Sequence, residues 1–489
     1  MENTGRIVRA LTPTARRILY GAPADGDWAG ELDHLCQVDR AHLVMLVEVG
    51  LIDAGRAARL LKVIDELRAS RFAPLQGRPV LRGLYLLYED YLIERLGVDT
   101  GGVLQTARSR NDLNATVLRL RLRSPYLRVL NEALRLQAIL CRRARRFADV
   151  VMPVYTHYQA AVPGTFGHYL AGVAVALGRD LAGLMEAGSD LNRCPLGAGA
   201  VGGTSLAIDS ARTASLLGFD QPVVHSIDAV ASRDVVLRLL ASAAILGISF
   251  SRLATDLLLW STAEFGFLEF PDQLVGSSSM MPQKRNPFLL EHVQGRSASA
   301  LGAFMTAATA MHAKPFTNSV AVGTEATEPV WAALRKMAEA ATLTRLIVAG
   351  SNPVRQTMLQ GAVQGFTSAT ELANRLMVEG RMSFRAAHRM VGSIIREAGQ
   401  QTGGLLPVAA WQQVEQEPTI SLQELDPTSI TQRSIYGGGP GPASLNACLE
   451  EVEAQWSHHW RRKRDQTQKW RAADAALDAA VRHLCINQE

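Results

Sequence analysis

The run Gly276-Ser277-Ser278-Ser279-Met280-Met281-Pro282-Gln283-Lys284-Arg285-Asn286-Pro287 packs three hydroxyls, a lysine and an amide into turn-forming sequence between long helical segments. Backbone amides and small hydroxyls in such a loop can cradle a carboxylate, and Lys284 supplies the charge that holds a dianion. Taken alone, the segment also fits a serine-rich surface turn. Two more segments weigh against that reading. Thr106-Ala107-Arg108-Ser109-Arg110-Asn111-Asp112 is a second dense set of anion-binding donors, and Tyr155-Thr156-His157-Tyr158-Gln159 places an imidazole beside a hydroxyl and an amide.

In order and spacing the three clusters resemble the signature regions of the argininosuccinate lyase branch of the fumarase and aspartase superfamily. The resemblance extends through Pro195-Leu196-Gly197-Ala198-Gly199-Ala200, the run from Trp260 to Phe267, Phe384-Arg385-Ala386-Ala387-His388 and Tyr436-Gly437-Gly438, and so covers most of the chain. It implies an all-α, three-domain fold with a central bundle of long helices. It also implies a homotetramer whose active sites combine signature regions from different subunits. The implied reaction is a carbon–nitrogen lyase elimination, in which an amine leaves an N-substituted aspartate and fumarate is released. Taking a proton from the carbon beside a carboxylate creates a doubly negative aci-carboxylate, which preorganised donors must stabilise. On the resemblance, Ser278 is the proton-abstracting base, an office a hydroxyl can fill only if amides and a nearby cation such as Lys284 stabilise its alkoxide. His157 matches the histidine that pairs with an acidic residue, here Glu291, and handles the proton of the departing amine. Ser109, Arg110, Asn111, Thr156, Gln159 and Asn286 are the matching substrate ligands. Arg108 and Asp112 fit a structural ion pair as well as a substrate contact.

The sequence departs from the family unevenly. An Asp-Ile-His triplet ahead of the first signature reads Gly83-Leu84-Tyr85 here, and His-Thr-Gly reads Gln105-Thr106-Ala107. Before Glu328-Pro329 the family presents a tyrosine, a glutamine and a lysine to the amino-acid end of the leaving group, and the stretch from Thr317 to Thr327 has none of the three. Groups expected around the fumarate half persist, while those around the arginine half are replaced by small or uncharged ones. The chain therefore reads as a fumarate-releasing lyase with a leaving amine other than arginine. A genuine argininosuccinate lyase with compensating ligands and a non-catalytic structural homologue are the alternatives.

Long helices must position these clusters. From Val235 to Trp260 the polar residues Arg238, Ser242, Ser249, Arg252 and Asp256 fall on one narrow stripe at helical period and nearly everything else is apolar, which predicts a helix buried on most sides. The charges along it disfavour a membrane span, and its surplus apolar surface predicts oligomerisation. A second long helix is expected from about Asn114 to Phe147, with Pro125 kinking it or ending its first part. Glycine turns divide the chain into an N-terminal helical domain (1–107), a central bundle (108–352) and a C-terminal helical domain (353–489), as 489 residues allow. The run Gly197-Ala198-Gly199-Ala200-Val201-Gly202 satisfies GxGxxG, but no strand precedes it, which excludes a dinucleotide site. Five scattered cysteines without metal-ligand spacing, and no leader-like N-terminal stretch, point to a cytoplasmic protein without a structural metal. No cofactor is expected, and the expected partner is a small dicarboxylate-containing substrate rather than a nucleic acid or a membrane. The basic run Arg461 to Arg464, flanked by Trp456, Trp460 and Trp470, reads as a solvated helix face with tryptophans packed beneath.

Overall fold

In the computed structural model, which describes residues 11–20, 28–402 and 421–486, helices dominate. The N-terminal part comprises α1 (Pro13–Tyr20), α2 (Trp28–Glu48), α3 (Ala54–Ala69), α4 (Leu84–Leu96) and the single turn α5 (Val98–Gly101). Leu32, Leu43, Leu60, Ile64 and Tyr88 interlock at its centre. Helix α6 (Arg110–Arg146) follows and runs for 37 residues, roughly 55 Å at 1.5 Å per residue. It runs unbroken through Pro125, so the expectation that proline ends its first part is not met. Proline removes one backbone hydrogen bond. The buried flank of Leu122, Tyr126, Val129 and Leu130 packs on both sides of that defect and holds the helix together.

A two-stranded antiparallel hairpin, β1 (Val151–Thr156) and β2 (Gln159–Thr165), leads into α7 (Phe166–Ser189). The hairpin is an addition to the helical expectation. Short helices α8 (Ser210–Leu216) and α9 (Ser226–Ala231) carry the chain back to α10 (Asp234–Trp260). Strand β3 (Leu268–Glu269), α11 (Phe288–Met311), α12 (Pro329–Gly350) and β4 (Asn352–Pro353) come next. Beyond them lie α13 (Arg355–Gln364), α14 (Ala369–Val378), α15 (Phe384–Thr402), a helix at Pro427–Arg433 and the C-terminal helix Pro442–Ile486.

The bundle is a closed ring in which α6 packs on α7, α7 on α10, α10 on α11, α11 on α12, and α12 back on α6. The polar stripe of α10 stitches it to α7: Ser242 Oγ donates to the Gly183 carbonyl, Ser249 Oγ to Asp180, and Tyr169 of α7 donates to Asp256. Burial is less complete than the sequence led us to expect. Ile245 and Ile248 of α10 and Leu301 and Met305 of α11 are all exposed in the isolated chain. α10 is long and apolar enough to cross a membrane, yet half of its most apolar window is buried against its neighbours.

The C-terminal helix spans two cores, placing Leu445, Leu449 and Val452 against the bundle and Leu477 and Val481 in the N-terminal cluster. The indole of Trp456 donates to the Leu134 carbonyl and that of buried Trp470 to Asn192, while Arg461, Arg462 and Arg464 face outward. The basic run is thus the outer face of a helix anchored by its tryptophans.

Where α10 crosses α11, a Cβ added at Gly247 would stand 2.7 Å from the Ser297 carbonyl oxygen. Gly247→Ala should force the two backbones apart and cost about 1–3 kcal/mol, seen as a lowered melting temperature. Gly302→Ala on α11, where an added Cβ meets nothing within 4 Å, should melt at or above the native temperature.

Candidate active site

The first donor cluster is held from behind by buried charge. Arg108 and Asp39 of α2 form an ion pair at 2.6 Å with both side chains fully buried. The Arg108 guanidinium also donates to the Tyr85 hydroxyl, which donates in turn to Glu89. Burial raises the Glu89 carboxyl above its ordinary value. His42 completes the support by donating from Nε2 to the Thr106 carbonyl at 2.9 Å. Burial, and then the Arg108 charge, push the His42 imidazole down to about 3, so it is neutral at ordinary pH. Arg108 and Asp112, which the sequence allowed as a structural ion pair or as substrate contacts, form no ion pair with each other. Asp39 lies deeper and takes the guanidinium, which leaves Asp112 to backbone donors. Tyr85 is likewise a network member under the loop, buried to 5% exposure.

Asp112 carries the geometry at the α6 N-terminus. Ser109 and Asp112 form a capping box, with Ser109 Oγ accepting from the Asn111 amide and Asp112 Oδ1 accepting from the Ser109 amide. The second carboxylate oxygen accepts from the amides of Gly197 at 3.1 Å and Gly199 at 2.9 Å. Both glycines have positive φ, at 105° and 60°, which side chains other than glycine rarely adopt. The GxGxxG run is therefore a nest for an internal carboxylate. It also brings the Ala200 carbonyl to Asn111, whose Nδ2 donates to it at 3.1 Å. The Asn111 Oδ1 accepts from Asn318 Nδ2 at 2.9 Å. Asn318 belongs to the divergent stretch. Sequence reasoning noted what that stretch lacked and missed what Asn318 does there. Arg110 points outward, with Nη1 on the Arg82 carbonyl.

The other two clusters lie at the opposite end of α6. The hairpin begins just past Arg146, and its two-residue turn is His157-Tyr158, at φ 52° and 61°. Such a primed turn matches the twist of the strands, and it carries His157 on an exposed tip between Thr156 and Gln159. An aromatic stack fixes its base: Tyr155 packs on Phe265, Phe265 on Phe267, and Tyr169 on Trp260. A groove of about 750 Å³ beside the hairpin is lined by His157, His168, Tyr169, Arg252 and Asp256.

The serine loop is closed at its neck by reciprocal backbone hydrogen bonds of 2.8 Å between Gly276 and Asn286. Inside it, Ser278 Oγ accepts from the amides of Met281 at 3.0 Å and Met280 at 3.3 Å. Lys284 and Glu291 are exposed, Glu291 on the first turn of α11. No hydrogen bond or ion pair joins His157 to Glu291 among the described residues. Nor does one chain bring Ser109, Arg110 and Asn111 to Ser278, because the length of α6 stands between them.

Residues 53–302 match the family described as "Lyase", and residues 366–431 that described as "Argininosuccinate lyase C-terminal". The argininosuccinate lyase of Methanothrix thermoacetophila is 35% identical over 94% of this chain and 92% of its own length. That of Thermus thermophilus is 36% identical over 85% and 91%. Among solved structures, a variant of EDDS lyase with bound fumarate superposes with a TM-score of 0.85 at 28% identity, covering 97% of this chain and 99% of its own. A class II fumarase from Schistosoma mansoni, at TM-score 0.67 and 17% identity over 82% and 90%, shares the fold.

His42 gives this support a pH signature. Its folded pKa lies far below the unfolded value near 6.5. The unfolded chain therefore binds the extra proton, and stability falls as pH drops below about 6.5, by up to about 1.4 kcal/mol per unit. Urea titrations of His42→Gln, which keeps a donor for Thr106, should show that slope reduced by one proton. An unchanged slope would assign the acid sensitivity to other groups.

Proposed function

The chain belongs to the lyase family that includes the argininosuccinate lyases, and on that premise we propose that it eliminates an amine other than arginine from an N-substituted aspartate, releasing fumarate. The observation that carries the elimination is Ser278 Oγ under two amides in a necked loop that also carries Lys284. An oxygen so placed is stabilised as an alkoxide and can take the proton next to the substrate carboxylate. Lys284 and Asn286 then face the aci-carboxylate, and the α6 N-terminus with Ser109, Arg110 and Asn111 receives the other carboxylate, since helix N-termini favour anions. His157, oriented by Glu291, serves the departing nitrogen.

Because α6 separates its two ends by roughly 55 Å, these groups can work together only if chains associate. We assign the exposed apolar residues of α10 and α11 to that association, in a homotetramer whose sites each draw on several subunits. The five cysteines form no disulfide among the described residues, which fits a reducing cytoplasm.

The altered leaving group rests on the stretch Thr317–Thr327. A buried amino-acid zwitterion needs partners for its carboxylate and ammonium, and leaving them unpaired costs several kcal/mol for each ion. Asn318, Gly323, Ala326 and Thr327 offer no such cation–anion pair. The likeness to EDDS lyase, a relative with bound fumarate and a different name, supports a family in which fumarate release is not tied to one amine. The identity to argininosuccinate lyases favours the second reading, a genuine argininosuccinate lyase.

Ser278→Ala should keep the native melting temperature and a tetrameric mass by light scattering while turnover falls at least about a hundredfold. Near-native turnover would remove Ser278 as the base, and a monomeric native mass would remove the shared site. For substrate, argininosuccinate, adenylosuccinate, malate, aspartate and a panel of N-substituted aspartates should be compared by the ultraviolet absorbance of fumarate. We expect release from an N-substituted aspartate and little from argininosuccinate. Ordinary enzymatic efficiency with argininosuccinate would restore the second reading, and no turnover of anything would favour a structural homologue.

A further inference from the structure

The first donor cluster hangs from a strained turn. Residues 105–108 form a β-turn closed by the Arg108 amide, which donates to the Gln105 carbonyl at 3.1 Å. Thr106, at φ −56° and ψ 120°, has the angles of the first central residue of a type II turn. The second central residue of such a turn needs a positive φ and is ordinarily glycine. Here it is Ala107, at φ 58°, where the family pattern has glycine. Alanine in this place holds strain that neighbouring contacts must oppose.

Contacts clamp both flanks of Ala107. On one side His42 Nε2 donates to the Thr106 carbonyl at 2.9 Å. On the other, Arg108 Nη1 pairs with Asp39 at 2.6 Å and Nη2 donates to the Tyr85 hydroxyl at 3.2 Å. The polarity at Tyr85 is fixed. A guanidinium can only donate, so the hydroxyl oxygen accepts from it and the single hydroxyl hydrogen goes to Glu89 Oε1, at 3.2 Å. The Gln105 side chain hydrogen-bonds the same Glu89 carboxyl. The first and last residues of the turn are thus tied to one carboxyl, Gln105 directly and Arg108 through Tyr85. Tyr85, Glu89 and Arg108 are all buried, so water has little access to replace a lost member.

We infer that Tyr85 and Glu89 are positioning residues, which hold the turn at Thr106-Ala107 in its strained form and so present Ser109, Arg110 and Asn111 to a substrate carboxylate. The inference rests on the proposed role of the α6 N-terminus and extends it to two side chains buried behind that end. Ser109, the N-cap of α6, is only two residues beyond Ala107. A turn that relaxes to negative φ at Ala107 therefore redirects the chain just where the donors begin. If the clamped form were populated about one-tenth of the time, apparent affinity would fall about tenfold, while turnover at saturation would be kept.

The test takes fumarate as the probe, with Kd from isothermal titration calorimetry, alongside the kinetics of fumarate release from whichever aspartate of the substrate panel is turned over. Tyr85→Phe removes the hydroxyl that takes Arg108, and it should raise Kd and KM at least about tenfold while kcat stays within about threefold. Adding Ala107→Gly should bring both constants back to within about threefold of native, since glycine adopts a positive φ without strain. Glu89→Leu should reproduce the defect, and Glu89→Gln, which keeps an acceptor for Tyr85, should not. With two positions tested, a variant that misfolds is identified by its melting curve and the other decides. A merely structural role would lower the melting temperature of Tyr85→Phe without moving Kd, and would give glycine nothing to rescue. Native Kd in Tyr85→Phe, or a defect that Ala107→Gly leaves in place, overturns this inference and leaves the lyase reading intact. A native enzyme that neither binds fumarate nor releases it from any aspartate overturns both.

Discussion

A single carboxylate organises the donor end of this molecule. Asp112 sits at the start of a 37-residue helix, closes that helix's capping box with one oxygen and gathers the Gly197–Gly199 loop with the other. With those amides satisfied by an internal anion, the glycine loop is fixed in one conformation and not free to take a phosphate. Its next residue, Ala200, then sets the Asn111 amide, and Asn111 sets Asn318. A chain of hydrogen bonds thus runs from a buried acid to Asn318 in the divergent stretch, and each link has only one allowed polarity. Losing the Asp112 carboxylate would leave the buried Gly199 amide without its acceptor, the costliest break in the series.

Buried arginines answer a related need elsewhere. Arg123 donates to the Leu217 and Gly218 carbonyls at the end of α8, Arg143 to the Ser351 carbonyl at the end of α12, and Arg233 to Val230 and Ser232 at the end of α9. Helix C-termini leave carbonyls unsatisfied and carry negative partial charge. A planar, multi-donor cation suits that task better than an ammonium. Burial lowers the Arg123 guanidinium to about 9 and that of Arg143 to about 10, and neither forms an ion pair with a carboxylate among the described residues, so the partial charges of helix ends take much of the place of acids. The excess of arginine over lysine has this structural use at three helix ends.

Much of this was legible because residue type and order carry chemistry. The serine loop, the donor cluster and the helical period of α10 could be read directly, since each is local. Asp39 as the partner of Arg108 could not, because an ion pair between distant helices leaves no spacing signal. The hairpin escaped notice because His157-Tyr158 occupies a left-handed turn that glycine or asparagine usually marks. Of the two readings of Pro125, a kink or an end to the first part of the helix, packing overrode the second. Asn318 was visible only as an absence of family residues, since its role depends on an amide orientation set by a loop more than a hundred positions earlier.

The closed ring of helices has a consequence for how the protein is made. α6 emerges from the ribosome early, yet one of its faces is covered only by α12, which begins at Pro329. Throughout synthesis of the intervening segments that face stays open, along with the sides of α7 and α10 that await later neighbours. Such a topology delays cooperative closure until the last helix of the ring is out, and it lengthens the interval in which apolar surface is exposed to other nascent chains. The capping box of Ser109 and Asp112 is local and can form at once, so the nascent α6 can start in register long before the surfaces that finally hold it exist.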